Sequence, residues 1–229
     1  MKKIFFFITF IFAVTIANCQ IKNINSFSID RRKTQMFGNK KWKSIAEELK
    51  SYITLENNTI KYVKVIELPN KTKEELFERI KNWANYNFNT PEFIVRSIDN
   101  GNYSVTVQGY VNKVAEHSGM LNSYEVSLKP MVTIQVKEGK IRVTFNLPQY
   151  NVHKQEYGGP FCGDSFLNEI WNIGMCYPFI PSMYDVHPVA SAKALVMTHV
   201  CATMYMEEIE QDLKYKQYNT SENDGSNNW

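Results

Sequence analysis

The middle of this chain carries strand signals almost without interruption, which restricts it to folds built around an antiparallel sheet. Two pairs of β-branched and aromatic runs are each joined by a short turn sequence: residues 93–98 and 103–111 around 99–102, and residues 124–136 and 141–145 around 137–140. Short turns that contain Asn or Gly between such runs are typical of β-hairpins. Val105 and Val107 alternate with Ser104 and Thr106, so we expect one buried and one wetter sheet face.

A strand and an amphipathic helix precede these hairpins. Residues 60–68 are β-branched and aromatic, and Thr72 and Glu75 then have the spacing of a helix capping box. The apolar residues that follow recur at helical spacing: Leu76, Phe77, Ile80, Trp83 and Ala84. We therefore predict a helix of about four turns whose Leu76 and Trp83 side chains face the core of the sheet.

The start of the chain has the composition of an export signal. Lys2 and Lys3 give a positive charge, and residues 4–17 form an apolar run interrupted only by two threonines. At about 14 residues the run is too short to span a bilayer, which needs about 20. We predict that residues 1–19 are a signal peptide and that the protein is exported to the periplasm or cell envelope.

The position of cleavage has two readings. The residues before Cys19 nearly match a lipoprotein signal, although Asn18 stands where a small residue is usual. A lipid on Cys19 would anchor the chain to a membrane. Ordinary cleavage after Cys19 is the alternative, with Ala17 and Cys19 as its small residues, and an uncleaved segment is the third outcome.

The segment from Tyr62 to Phe145 resembles the exported domain-of-unknown-function family numbered 4468. The resemblance rests on the following residues: 65–77, Ile80, Trp83, 99–109 and 137–143. It implies a TATA-box-binding-protein-like (TBP-like) α+β fold with strand, helix, four antiparallel strands and helix in that order, the helices packed on one face of the sheet. It also implies a setting in the cell envelope, and no activity or functional residue. DNA binding does not transfer, because a fold does not specify a function and an exported chain leaves the compartment that holds DNA.

We divide the chain by these patterns into five parts: 1–19 signal peptide, 20–58 basic linker with a short helix, 59–147 TBP-like domain, 148–215 aromatic and cysteine-containing loop region with a closing helix, and 216–229 disordered tail. In the linker, Trp42, Ile45 and Leu49 have helical spacing, and Ser44 with Glu47 suggests a capping box.

Two helical segments are predicted in the loop region. Residues 166–173 are expected to form one or two turns, and residues 189–215 a longer helix. Lys193 and His199 interrupt its apolar half, so we predict that this helix packs against the sheet and does not cross a membrane.

Three cysteines follow the signal peptide. Export permits a disulfide, and we predict that Cys162 and Cys176 are bonded, while Cys201 is a free thiol buried in the closing helix. The alternative, with all three thiols reduced, stays open.

The stretch 157–184 concentrates aromatic side chains among Gly and Pro. We identify a candidate recognition surface there, because aromatic residues are enriched at interface centres: Phe161, Phe166, Trp171, Tyr177, Phe179 and Tyr184. The alternative is that these side chains cap an open end of the core.

The sequence contains little that is typical of catalysis. His117, His153, His187 and His199 have no zinc-site spacing, neither a nucleophile elbow nor a phosphate loop is present, and no metal or cofactor is expected. Acidic residues and histidine in the irregular region form the alternative, a hydrolase site within residues 150–190: Asp164, Glu169, Asp185 and His187.

Two function classes therefore remain. The first is a non-enzymatic module of the cell envelope that binds a protein or an envelope component, through an exposed sheet face or the aromatic stretch. The second is an exported hydrolase, which would require those acidic residues and the histidine to converge in a cleft. We expect no nucleic-acid partner, and contact with a membrane only through a lipid on Cys19.

Overall fold

A computed structural model describes residues 24–53, 55–158, 162–181 and 186–215. The predictions of a signal peptide, a lipid on Cys19 and a disordered tail concern residues outside these ranges. No helix within them is long and apolar enough to cross a membrane.

The described residues form four helices and eleven strands. The helices are α1 Ser26–Phe37, α2 Trp42–Lys50, α3 Lys73–Asn87 and α4 Pro188–Tyr215, with a short 3₁₀ turn at Ile173–Met175. The strands are β1 Leu55–Glu56, β2 Thr59–Glu67, β3 Asn89–Thr90, β4 Phe93–Asp99, β5 Ser104–Gln108, β6 Val111–Ser118, β7 Asn122–Leu128, β8 Met131–Lys137, β9 Lys140–Leu147, β10 Gln149–Glu156 and β11 Ser165–Asn172.

The strands make two antiparallel sheets, and the chain passes from one sheet to the other three times between consecutive strands. The larger sheet has the order β1-β2-β9-β8-β5-β4-β3, and the smaller one has the order β11-β10-β7-β6. The chain runs directly from β5 to β6, from β7 to β8 and from β9 to β10. All three passages contain a residue poorly suited to a regular ladder, namely Gly109, Pro130 and Pro148. Gly109 N donates to Pro130 O at 3.1 Å, so two of the breaks lie side by side.

Helices cover one face of these sheets. In β9, Ile141, Val143, Phe145 and Leu147 are buried, and the residues between them face outward. Helix α3 packs on β4, β5, β8 and β9, whereas α4 packs on β2, β6 and β7. The fold is α+β with its helices on one side of the sheet, as predicted, and the opposite outer face is uncovered by helices.

The predicted features of α3 are confirmed. Thr72 Oγ1 accepts from Glu75 N at 3.2 Å and Glu75 Oε2 accepts from Thr72 N at 3.2 Å, which completes the capping box. Leu76 and Trp83 are fully buried on the face toward the sheet. Local sequence signals therefore determine both the start of this helix and its orientation.

The long helix α4 is buried as predicted, and its polar residues have partners. His199 Nδ1 and the Tyr62 hydroxyl are hydrogen-bonded at 3.0 Å, and burial lowers the pKa of His199 while it raises that of Tyr62. A neutral imidazole is therefore accommodated against β2. Lys193 Nζ lies at the protein surface, where it donates to the carbonyl oxygen of Glu116 at 2.6 Å.

Several local predictions are wrong. Residues 166–173 do not form helical turns, because residues 165–172 pair with β10 along its entire length as strand β11. Helix α2 begins at Trp42 after Lys41, without a side-chain cap, so the proposed Ser44–Glu47 capping box is absent. The structure also adds α1, which packs on α4 and β6, and the hairpin of β6 and β7.

Candidate recognition surface

The four described members of the predicted recognition surface do not gather on one exposed surface. Phe161 and Tyr184 lie outside the described residues. Trp171 is buried, its ring centroid is 5.5 Å from that of Tyr124, and its Nε1 donates to Glu169 Oε2 at 2.8 Å. Trp171 therefore belongs to the core, in agreement with the alternative that these aromatics cap it.

The remaining three have different environments. Tyr177 and Phe179 are partly buried and pack against the core, and Lys43 Nζ lies 5.1 Å from the centroid of the Tyr177 ring. Phe166 alone among the four described members is prominently exposed, with 60% of its surface accessible. Among these four aromatic residues, the prominently exposed one therefore lies on β11.

The candidate hydrolase residues are engaged separately. Asp164 Oδ2 accepts from Gln155 Nε2 at 2.8 Å, Glu169 Oε1 lies 3.7 Å from Lys154 Nζ, and His187 stacks on His117 with ring centroids 4.2 Å apart. Asp164 and Glu169 are five positions apart on extended chain, about 16 Å by strand geometry. Asp185 lies outside the described residues. Among described residues, no three His, Cys, Asp or Glu side chains are arranged to hold a metal ion.

The three cysteines of the described residues are free thiols. Cys162 is exposed, while Cys176 and Cys201 are buried, so the predicted bond between Cys162 and Cys176 is absent from the structure. The Cys176 thiol instead donates to Asn172 O at 3.4 Å. The buried, free state of Cys201 agrees with the prediction.

Strand β11 forms an outer edge of the smaller sheet and projects beyond the helical layer. It has eight residues, and β10 is its neighbour in the sheet. Phe166 and Ile170 point to the outer face and are 60% and 61% exposed, whereas Leu167 points to the inner face and is still 44% exposed. Apolar side chains on both faces of β11 are thus in contact with solvent.

The other long edges carry features that discourage pairing with another chain. Beyond the short strand β1, the edge of β2 carries Lys61, Lys64 and Glu67. The edge of β4 has a register shift between Val95 and Ser97, and the edge of β6 has one between Val111 and Ala115. Charges and bulges at edges are common protections against unwanted strand pairing.

Strand β11 has fewer of these protections in the part of the chain that the structure describes. Its pairing with β10 is regular from Ser165 to Asn172, and it contains no Lys, Arg or Pro. Its one charged side chain, Glu169, points to the inner face and faces Lys154 of β10. The exposed edge is therefore regular, half of its residues are apolar, and it carries one charge.

A shallow polar depression lies beside this edge on the outer face. Its volume is about 350 Å³, and Asn151, His153, Asn168 and Ile170 contribute to its lining. His153 Nδ1 lies 3.0 Å from Asn168 Oδ1, and its ring stacks on Phe166 at 5.7 Å. Asn151 Nδ2 is enclosed and has no hydrogen-bond partner among the described residues. The depression therefore offers an aromatic contact from the stacked rings of His153 and Phe166.

Charged groups near this depression are largely neutralised in pairs. Lys154 Nζ lies 2.6 Å from Glu156 Oε1, and this contact raises the pKa of Lys154 and lowers that of Glu156. Lys113 Nζ lies 2.6 Å from Glu125 Oε1. A partner of this surface would accordingly meet apolar and neutral polar groups more than net charge. We define the β11 surface as Phe166, Leu167, Asn168 and Ile170, with His153 of β10.

Sequence reasoning identified Phe166 but missed its neighbours. The pattern of β11 has adjacent apolar pairs at 166–167 and 170–171, which suggested helical turns. The signal that would have revealed the strand is its match to β10, which is separated from it by eight residues of chain and pairs with it in one register from Gln149 to Glu156. The spacing of apolar residues within β11 does not indicate that this strand pairs with β10.

The comparisons with known proteins identify the central domain. The family model described as a domain of unknown function (DUF4468) with TBP-like fold matches residues 62–151. No curated protein matches the chain.

Two crystal structures are similar to the chain at low sequence identity. A DUF4468 family protein from Bacteroides ovatus has 10% identity and a TM-score of 0.46, over 72% of this chain and 91% of that one. A TBP-like protein from Parabacteroides distasonis has 12% identity and a TM-score of 0.47, over 72% of this chain and 99% of that one. The family match runs from β2 into β10 and stops before β11. Over residues 62–151 the chain is therefore similar to the family described as a domain of unknown function (DUF4468) with TBP-like fold.

Proposed function

We propose that this protein is an exported, non-enzymatic module of the cell envelope that binds another protein by adding a strand to β11. Export is supported by Lys2, Lys3 and the short apolar run at residues 4–17. The protein would act in the periplasm or at the envelope, and a lipid on Cys19 would tether it to a membrane.

The observation that carries the proposal is the contrast between β11 and the other edges. An unpaired edge strand presents a row of free N–H and C=O groups that another extended chain can satisfy. The edges of β2, β4 and β6 have charges or bulges, whereas β11 is regular and exposes Phe166 and Ile170. An exposed edge with so little protection invites unwanted pairing with other chains. Its presence here favours a binding role for β11.

Strand addition would divide affinity and specificity between two kinds of contact. Main-chain hydrogen bonds along β11 would supply affinity to any extended segment. Every second side chain of the added strand would lie on the outer face, beside the depression formed with Asn151 and His153. Apolar side chains of the partner would cover Phe166 and Ile170.

Photo-crosslinking in intact cells tests the proposal. A benzophenone amino acid at position 166 is expected to form a light-dependent adduct with a polypeptide, and the change Ile170→Lys is expected to remove that adduct. Position 65 is the matched control, because Val65 is 52% exposed on a charged edge strand. Equal adducts at both positions, or none at position 166, would contradict binding at β11.

Export is tested on the same cells by fractionation and mass spectrometry of the amino terminus. A mature chain in the envelope that begins at Cys19 or Gln20 is expected, and a diacylglyceryl increment on Cys19 would identify the lipoprotein route. A cytoplasmic protein that begins at Met1 would contradict the envelope setting.

A further inference from the structure

The apolar outer-face residues of β11 are placed symmetrically about Asn168. Phe166 and Ile170 lie two positions to either side of it on the outer face, and Leu167 and Glu169 lie one position to either side on the inner face. In an antiparallel pair of identical strands centred on Asn168, each Phe166 would lie opposite an Ile170. Aromatic side chains opposite β-branched ones are favourable cross-strand pairs.

We propose that the strand bound at β11 is β11 of a second copy of this chain. The two strands would pair antiparallel about a twofold axis at Asn168 and join the two four-stranded sheets into one. This inference rests on the proposed function, since it names the partner of the same edge.

The two faces of β11 restrict the register. Directly opposed side chains in an antiparallel pair lie on the same side of the sheet. A shift by one residue would place Phe166 opposite Trp171 and would join the outer face of one copy to the inner face of the other. Trp171 is only 2% exposed on the inner face, where it contacts Glu169 and Tyr124. The register about Asn168 keeps Trp171 on that face, opposite Ser165 of the second copy.

The charges of the edge are compatible with self-association. In the proposed register Glu169 lies opposite Leu167 of the second copy, and no two like charges of β11 oppose each other. Lys154 on β10 already lies 3.7 Å from Glu169. A second copy also places apolar side chains beside Phe166 and Ile170, and the Glu169 that it brings lies opposite an uncharged residue. An edge such as that of β2, with Lys61 and Lys64, lacks this self-complementarity.

A charge exchange at position 168 tests the twofold axis. In the mature full chain, Asn168→Lys places two ammonium groups opposite each other and Asn168→Asp places two carboxylates opposite each other. Each variant alone is expected to raise the dimer dissociation constant at least about tenfold in analytical ultracentrifugation, because opposed like charges repel. An equimolar mixture of the two is expected to regain the dimer, which separates repulsion from misfolding. Val65→Lys is the control that should dimerise like the original chain.

A disulfide across the axis tests the register. In a Cys162→Ser background, Asn168→Cys is expected to form an intermolecular disulfide under mild oxidation, since directly opposed residues have Cα atoms about 4.5 to 5.5 Å apart. Asn172→Cys is the control that should stay unbonded, because its counterpart in the second copy lies at the far end of the paired strands. Bonding at position 172 but not at position 168 would overturn the register.

The two proposals fail in different ways. A chain that stays monomeric at millimolar concentration, or a dimer that position 168 does not affect, overturns self-pairing. If position 166 then crosslinks to a different polypeptide in the envelope, strand addition stands and only its partner changes. If position 166 crosslinks to nothing, both proposals are wrong.

Discussion

The hydroxyl of Tyr205 occupies the space that a side chain at Gly109 would need. A Cβ atom built on Gly109 would overlap Tyr205 Oη, and Phe93 lies at 3.5 Å on the same side. Tyr205 is fully buried on α4, and burial raises the pKa of its hydroxyl. Close packing of the helix on the break between β5 and β6 therefore depends on the absence of a side chain at position 109.

We predict that Gly109→Ala lowers the free energy of unfolding by about 1–3 kcal/mol, as expected for an overpacked core. Tyr205→Phe removes the overlapping oxygen, which has no hydrogen-bond partner among the described residues, and should restore most of that loss in the double variant. Urea denaturation of the two single variants and the double variant measures the coupling. Additive effects of the two changes would show that they act independently.

We predict that Trp83→Ala destabilises the fold by about 3–5 kcal/mol, the range for truncation of a large core side chain. Trp83 is fully buried, and its ring centroid lies 5.4 Å from that of Phe88. Tyr86→Ala is the control on the same helix, since Tyr86 is 51% exposed and its truncation should cost less than about 1 kcal/mol. Comparable losses in both variants would place Trp83 outside the core.

We predict that stability falls as the pH is lowered from about 7.5 to 5, owing to the stacked pair His117 and His187. Burial lowers the pKa of both imidazoles, and Lys193 lowers each further, with the neighbouring imidazole and Lys43 also acting on His187. Below the ordinary histidine pKa of about 6.5, the unfolded chain therefore binds protons at these two side chains that the folded state does not bind. Their contribution is complete above that value and is lost as the pH falls toward the folded pKa values.

Thermal denaturation at several pH values measures this dependence. His117→Gln removes one member of the pair and leaves His187 Nδ1, which accepts from Ala190 N at 3.3 Å at the start of α4. The variant is expected to show a weaker loss of stability between pH 7.5 and 5 than the original chain. An identical pH profile would assign the loss to other groups.

The sequence predicts those parts of the fold whose signals are local. Thr72 with Glu75 and the stripe that includes Trp83 identified α3, because a cap and a repeat within one helix act over a few residues. Helix α1 was missed because only Ile29 and Lys33 are buried in it, which leaves no apolar stripe to recognise.

The candidate site is harder to predict than the core, because it is defined by a comparison between strand edges that only the folded structure reveals. Phe166 is exposed because it lies on the outer face of an edge strand, and the edge is significant only in comparison with the charged or bulged edges of β2, β4 and β6. Trp171, two residues after Glu169 on the same face, shows that aromatic content alone does not separate surface from core.

We predict that one thiol of the purified mature chain reacts rapidly in the native state and that Cys176 and Cys201 react only after unfolding. Cys162 is exposed, whereas burial raises the pKa of Cys176 to about 12 and also raises that of Cys201. Because the thiolate is the reactive form, both burial and the raised pKa slow the reaction. Labelling without reductant should therefore modify one thiol in buffer and three in denaturant, when Cys19 has been removed. The variant Cys162→Ser should lose the rapid reaction and keep the other two. If only one thiol were labelled in denaturant, Cys162 and Cys176 would be joined in the exported protein, and the free thiols of the structure would represent its reduced form.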